Sequence, residues 1–188
     1  MEKIAILADS GCQIPVDSRE NEGIFIAPLT ITMEGKSYLD DIEIHSIDVF
    51  KRMEKDDIMV MTSQPSTGSL QEAVQKIKDQ GYSHVIGLPI ATGLSSTMNG
   101  MKLACDMLEM PVTLVDTKGT ASNQKYLVEV AAKLAREGKS PEEIKDILEK
   151  LVEDSATIIM VPNLEHLKKG GRITPAVAAL AGLLKIVP

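Results

Sequence analysis

Short apolar runs alternate with longer amphipathic ones along most of this chain, and that alternation is its strongest constraint. Ile4-Ala5-Ile6-Leu7-Ala8 is apolar without interruption, as a strand buried on both faces must be, and it stops at the turn cluster Asp9-Ser10-Gly11. Ile24 to Thr32 reads as a second strand, with Pro28 tolerated at an edge. Met33-Glu34-Gly35-Lys36 predicts a hairpin back through Ser37-Tyr38-Leu39. Further short strands are expected at Ile58 to Met61, Val85 to Ile90 and Val112 to Val115.

Between them lie helices. One runs from Ser46 to about Glu54 with Ser46 as its cap, and one is capped by Ser66 or Ser69 and buries Leu70, Val74 and Ile77 at i, i+4, i+7. Another follows the loop Thr92 to Thr97, and a long one passes through Tyr126, Val130 and Leu134 to a stop at Gly138. Ser140-Pro141-Glu142-Glu143 spells a capping box with proline in the first turn, ahead of a face of Ile144, Ile147, Leu148 and Leu151. Strand and helix in such succession predict right-handed βαβ units: an α/β fold with a mostly parallel sheet and flanking helices, Rossmann-like in architecture.

The pattern changes near Ser155. Thr157 to Val161 is expected to start a new strand, and Leu164 to Lys169 a helix whose left-handed cap is Gly170, the first of two glycines. Pro175 to Leu184 is apolar and Ala-rich, and Lys185-Ile186-Val187-Pro188 carries no cap or closing element. The expected division is an N-terminal α/β domain over 1–155 and, over 156–188, the start of a second α/β domain that is not completed.

Composition narrows the function. At 188 residues the chain is long enough to bury about 70% of its unfolded surface, so a core forms without disulfide or metal staples. Aromatic residues are 3% of the chain, with no tryptophan, which disfavours base stacking on single strands. A net charge of −7 disfavours binding to a phosphate backbone, so no nucleic-acid partner is expected. Cys12, Cys105, His45, His84 and His166 are scattered, and no metal site is read from them. The opening Met1 to Asp9, with a short apolar run and early acidic residues, is not expected to act as a signal peptide, and no apolar run reaches roughly 18 residues, so a cytoplasmic protein without stable membrane insertion is expected.

In an open parallel sheet, ligands sit beyond the carboxyl ends of the strands. Three such loops carry hydroxyls: Asp9-Ser10, Thr62-Ser63-Gln64-Pro65-Ser66, and Thr92-Gly93-Leu94-Ser95-Ser96-Thr97. Each leads into a helix N-terminus, where free N–H groups and the dipole favour an anion. Any one of these serines is accounted for as an N-cap; two hydroxyl clusters at equivalent positions exceed what capping needs. Neither the dinucleotide fingerprint GxGxxG nor the P-loop pattern occurs. Gly93-Leu94-Ser95-Ser96-Thr97 imitates a nucleophile elbow but has Thr97 where the second glycine belongs. A small acyl hydrolase or transferase using Ser95 would need His84 or His166 as base, and neither is well placed for it. Lys168 and Lys169 suit a helix C-terminus, which leaves Arg172, a fork suited to carboxylate or phosphate, without a capping role. The ten methionines serve as core filler or as the wall of a pocket for a flexible apolar ligand.

Taken together, Asp9-Ser10, Pro28-Leu29, Gly35-Lys36-x-Tyr38-x-Asp40, Thr62-Ser63-Gln64-Pro65-Ser66, Gly93-Leu94-Ser95-x-Thr97, Val115-Asp116-Thr117 and Leu167-Lys168-Lys169-Gly170-Gly171-Arg172-Ile173 resemble the DegV family of bacterial fatty-acid-binding proteins, in the family's order and over essentially the whole chain. The resemblance implies a two-domain α/β carrier without catalytic turnover or cofactor, holding one long-chain fatty acid such as palmitate. It further implies a partner, a separate fatty acid kinase, that receives the carboxylate and makes an acyl phosphate for phospholipid synthesis. By the same resemblance the carboxylate is bound by Thr62 and Ser95, with Ser63, Thr92, Gly93 and Ser96 shaping the loops. Arg172 is expected to orient the second domain or to meet the phosphate or kinase. The resemblance also implies a chain about a hundred residues longer, with a tunnel floor and a later histidine that are not expected within these 188 residues.

Overall fold

The computed structural model describes residues 3–56, 58–160 and 164–174. Its centre is a four-stranded parallel sheet in the order β2-β1-β6-β7, formed by β1 (Ile4–Asp9), β2 (Ile24–Ala27), β6 (His84–Leu88) and β7 (Val112–Leu114). Every residue of β1 is buried, and its alternating side chains feed two cores. Ile4, Ile6 and Ala8 pack with Leu127, Val128 and Ala131 of α4 (Ala121–Arg136) and with Ile144, Leu148 and Val152 of α5 (Pro141–Glu153). Ala5 and Leu7 face Leu70, Val74 and Ile77 of α2 (Thr67–Asp79) and Met101, Ala104 and Cys105 of α3 (Thr97–Met107). A methyl group at Gly87 would lie 2.5 Å from Leu114 Cδ2, so glycine there lets the Leu114 side chain pack over β6. The Ser140 capping box is present with both of its hydrogen bonds.

A second sheet departs from the expected succession. β3 (Thr30–Met33), β4 (Lys36–Leu39) and β5 (Val60–Ser63) form an antiparallel sheet in the order β4-β3-β5. The strand expected over Ile24 to Thr32 is therefore two strands in two sheets, parted at Pro28-Leu29. Proline lacks the N–H that a continuous ladder would use there. The hairpin is as expected, with Glu34 (φ 49°) and Gly35 (φ 74°) turning between β3 and β4. α1 (Ser46–Asp56) lies against this sheet, and Val49 packs with Ile31, Met33 and Ile44.

Thr62 and Ser63 end β5 as strand residues paired with Ile31 and Thr30, rather than sitting in a loop beyond the strand. Thr157 to Met160 forms no strand; the segment is irregular, with Ile158 and Met160 well exposed. Val161, the end of that expected strand, and the Ala-rich stretch 175–184 lie outside the described residues. α6 (Leu164–Lys169) is present. Its left-handed residue is Gly171 (φ 75°), one later than expected. Arg172 N–H donates to Leu167 C=O at 2.9 Å, the wide closing bond of a Schellman motif, which makes Gly171 the residue that must turn and Arg172 the first to leave the helix.

Candidate functional site

Two concavities meet where the end of β5, the loop between β6 and α3, and the turn after α6 converge. The polar one, about 450 Å³, is lined by Thr62, Ser63, Gln64, Gly93, Leu94, Ser95, Ser96, Gly170, Gly171 and Arg172. The other, about 280 Å³, shares Thr62, Ser63, Leu94, Ser95, Gly170 and Arg172 and adds the apolar Leu29, Val60, Met61, Ile90 and Leu167. The two concavities thus share hydroxyls and a guanidinium, and most of the aliphatic lining belongs to the second.

Local chemistry builds each wall. The Ser66 hydroxyl caps α2, accepting from Ser69 N–H at 3.0 Å, so the cap duty of that loop falls on Ser66. Thr62 is thereby left over, and its hydroxyl forms no hydrogen bond among the described residues. At α3 the capping oxygen is that of Ser95, which accepts from Thr97 N–H at 3.3 Å and shares a 2.8 Å hydrogen bond with the buried Thr97 hydroxyl. Ser96, which precedes the first helical residue, makes no side-chain cap. The partner of Ser95 Oγ is thus another hydroxyl, which cannot serve as a general base at neutral pH. His84 starts β6 and pairs across the sheet with the Thr113 hydroxyl at 2.9 Å.

Arg172 joins the two walls. Its Nη2 donates to Thr62 C=O at 3.0 Å, its Nε to Leu94 C=O at 3.3 Å and its Nη1 to Gly170 C=O at 2.7 Å. The end of β5 and the Ser95 loop are therefore held to one side chain. Thr92 turns elsewhere: its hydroxyl donates to Asp116 Oδ2, and its N–H to Asp116 Oδ1 at 3.2 Å. Burial pushes the Asp116 carboxyl up, but these bonds and the Lys118 amide outweigh it and hold the group below the usual range. Thr92 is not among the lining residues of either concavity; Thr62, Ser63, Gly93, Ser95, Ser96 and Arg172 are.

The Asp9-Ser10 pair works behind the site. Asp9 is fully buried and accepts from Ile90 N–H at 2.8 Å, Gly11 N–H at 3.0 Å and Gln124 Nε2 at 3.2 Å. It thus seats the start of the loop that carries Ser95. The Ser10 hydroxyl donates to Asp40 Oδ2 at 2.6 Å and accepts from Leu29 N–H at 3.0 Å, which fixes an apolar lining residue. Reading by sequence counted Asp9-Ser10 as a third ligand loop; a carboxylate at the buried end of an all-apolar strand was the signal for an internal tie instead. Leu29, Ile90 and Leu167 carry no local signal as wall residues. Among the described residues no cluster of histidine, cysteine or carboxylate side chains suits a metal ion, and no helix is long and apolar enough to cross a membrane.

Comparison with known proteins agrees with this architecture. A DegV domain-containing protein of Staphylococcus aureus is 32% identical over 188 residues, which is all of this chain and 67% of that one. The fatty-acid-binding DegV family protein of Thermus thermophilus superposes with a TM-score of 0.81 at 33% identity, over 97% of this chain and 65% of that one. A fatty-acid-binding DegV family protein of Streptococcus agalactiae gives 0.82 at 27% identity, over 100% and 67%. This chain thus spans about two thirds of the length of these relatives. The DegV family model matches residues 3–188, nearly the whole sequence, and the chain belongs to the DegV family.

Proposed function

We propose that this protein is a fatty-acid carrier in the cytoplasm: it binds one long-chain fatty acid, holds the carboxylate between Thr62 and Ser95, and runs the acyl chain along Leu29, Val60, Met61, Ile90, Leu94 and Leu167. The observation that carries this reading is the lining of the two concavities, which share hydroxyls and a guanidinium while most of the aliphatic side chains belong to the second. Hydroxyl donors and an adjacent guanidinium suit an anionic head group, because hydrogen bonds to a charged acceptor are the strong ones. The tail supplies retention at roughly 0.8 kcal/mol per buried CH₂, before the costs of binding. The head group therefore sets orientation more than affinity. Solved relatives described as fatty-acid-binding support the same ligand class.

On this reading Ser63, Gly93 and Ser96 shape the walls, and Thr92 acts through Asp116 rather than on the ligand. Arg172 fixes the spacing of the two hydroxyls. The domain division near Ser155 belongs to the same proposal: α5 ends at Glu153, α6 supplies Leu167, and the turn after it supplies Gly170 and Arg172 to the far wall. A separate fatty acid kinase would meet the carboxylate at the polar end and convert it to an acyl phosphate, with no turnover by the carrier itself.

Purification from a bacterial host, native intact mass and lipid extraction test the carrier reading. One fatty acid per chain is expected, and a chain that neither carries nor takes up fatty acid overturns it. Incubation of the loaded protein with the kinase and ATP should give acyl phosphate only when both proteins are present.

A further inference from the structure

Gln64 is the one polar side chain on the wall of the head-group cavity that has lost an atom to burial without recovering a partner. Its Oε1 is sealed from solvent and unpaired, and its amide makes no hydrogen bond among the described residues. The carboxamide lies near Gly100 of α3: a methyl group there would sit 3.9 Å from Oε1 and 4.0 Å from Nε2, and 2.9 Å from Leu70 Cδ1. The tight contact at Gly100 is thus with Leu70, and Gln64 lies at ordinary packing distance from α3. Nε2 is not sealed in this way, so it is the polar atom that Gln64 can offer to the cavity it lines.

An unpaired buried carbonyl oxygen is costly, and native proteins keep such groups where something else is gained. An anionic head group supplies the reason. A carboxylate has only acceptor oxygens, so an amide oxygen facing it would repel it while the amide N–H₂ attracts it. With Oε1 buried, the anion would face donors alone: the Thr62 and Ser95 hydroxyls and the Gln64 amide.

We propose that Gln64 is a third head-group ligand, donating Nε2–H to the bound carboxylate, and that it discriminates carboxylates from uncharged lipids of the same length. This inference rests on the fatty-acid reading above. Gln64 is distinguished from a packing residue by two near-isosteric variants measured on the full chain with palmitate and with hexadecanol. Gln64→Leu should weaken palmitate binding about tenfold, as loss of a hydrogen bond to a charged group does. Gln64→Glu, which sets a negative charge against the head group, should weaken it further at pH 8 and regain part of the loss at pH 5. Neither variant should change hexadecanol binding, and thermal unfolding confirms that both are folded.

If the unaltered chain binds palmitate and both variants bind it equally well, Gln64 only packs, and the inference falls while the fatty-acid reading stands. Equal losses for palmitate and hexadecanol also overturn it, because the effect is then one of cavity shape. If the unaltered chain takes up neither lipid, the fatty-acid reading fails and this inference fails with it.

Discussion

Arg172 donates Nη2–H to the backbone carbonyl of Thr62 at 3.0 Å across 110 residues of sequence, while its Nε donates to Leu94, the neighbour of Ser95. One guanidinium thus sets the distance between the two hydroxyls proposed to hold the head group. A lysine has a single point of charge and cannot reproduce a planar fork with several donors. Arg172→Lys should therefore release fatty acid about tenfold faster, the scale of one or two lost charge-assisted hydrogen bonds. Stopped-flow transfer of a fluorescent fatty acid to vesicles measures this; unchanged release would mean that the clasp does not hold the site.

Head and tail should separate cleanly by mutation. Thr62→Ala and Ser95→Ala are each expected to weaken palmitate binding about tenfold, the scale of one lost hydrogen bond to a charged group. Met61→Trp should abolish binding, because Met61 lines the aliphatic hollow and its half-exposed place on β5 admits the larger ring without disturbing the core. Titration calorimetry distinguishes the two classes, and strong binding by the tryptophan variant would place the acyl chain elsewhere.

Burial lifts the Asp9 carboxyl above the usual carboxylate range, against the pull of its hydrogen bonds from Ile90, Gln124 and Gly11. A carboxyl whose folded pKa exceeds its ordinary value of 3.8 takes up a proton on folding between those two values, so its ionised form weighs against the fold. The contribution of Asp9 to stability should rise as pH falls from neutral through the raised pKa, and level off below 3.8. Urea unfolding of the protein and of Asp9→Asn across this range isolates the step, and carboxyl carbon-13 NMR locates the titration. A carboxyl titrating at or below 3.8 would contradict it.

Both cysteines are fully buried, and burial pushes the Cys12 thiol up to about 12 and the Cys105 thiol to about 11. Thiolate is the reactive form, so neither should react with a disulfide reagent at pH 8 in the native protein, and both should react in denaturant. A thiol that reacts at the rate of free cysteine in the folded protein would refute this.

Much of the fold was legible because it is written in local pattern. The unbroken apolar run of β1, the i, i+4, i+7 face of Leu70, Val74 and Ile77, and the Ser140–Glu143 box each specify their element within a dozen residues. The errors lie where the deciding partner is remote. Pro28-Leu29 read as an irregularity within one strand, because nothing nearby says that β3 will pair antiparallel with β5. Thr157 to Met160 has strand-like composition, and composition alone cannot supply the neighbour that a strand needs.

The same division runs through the site. Residue types and spacing were enough to single out the Thr62–Ser63 and Gly93–Ser96 loops and Arg172, because helix caps and strand ends advertise themselves locally. Only the folded chain decided that Ser66 takes the capping role while Thr62 is left free, and that Thr92 belongs to Asp116. It likewise decided that Asp9 is an internal tie, and that Gln64 has an oxygen hidden beside Gly100. The physical reason is that a side chain's type states which hydrogen bonds it can make, whereas packing among distant segments determines which of them are already taken.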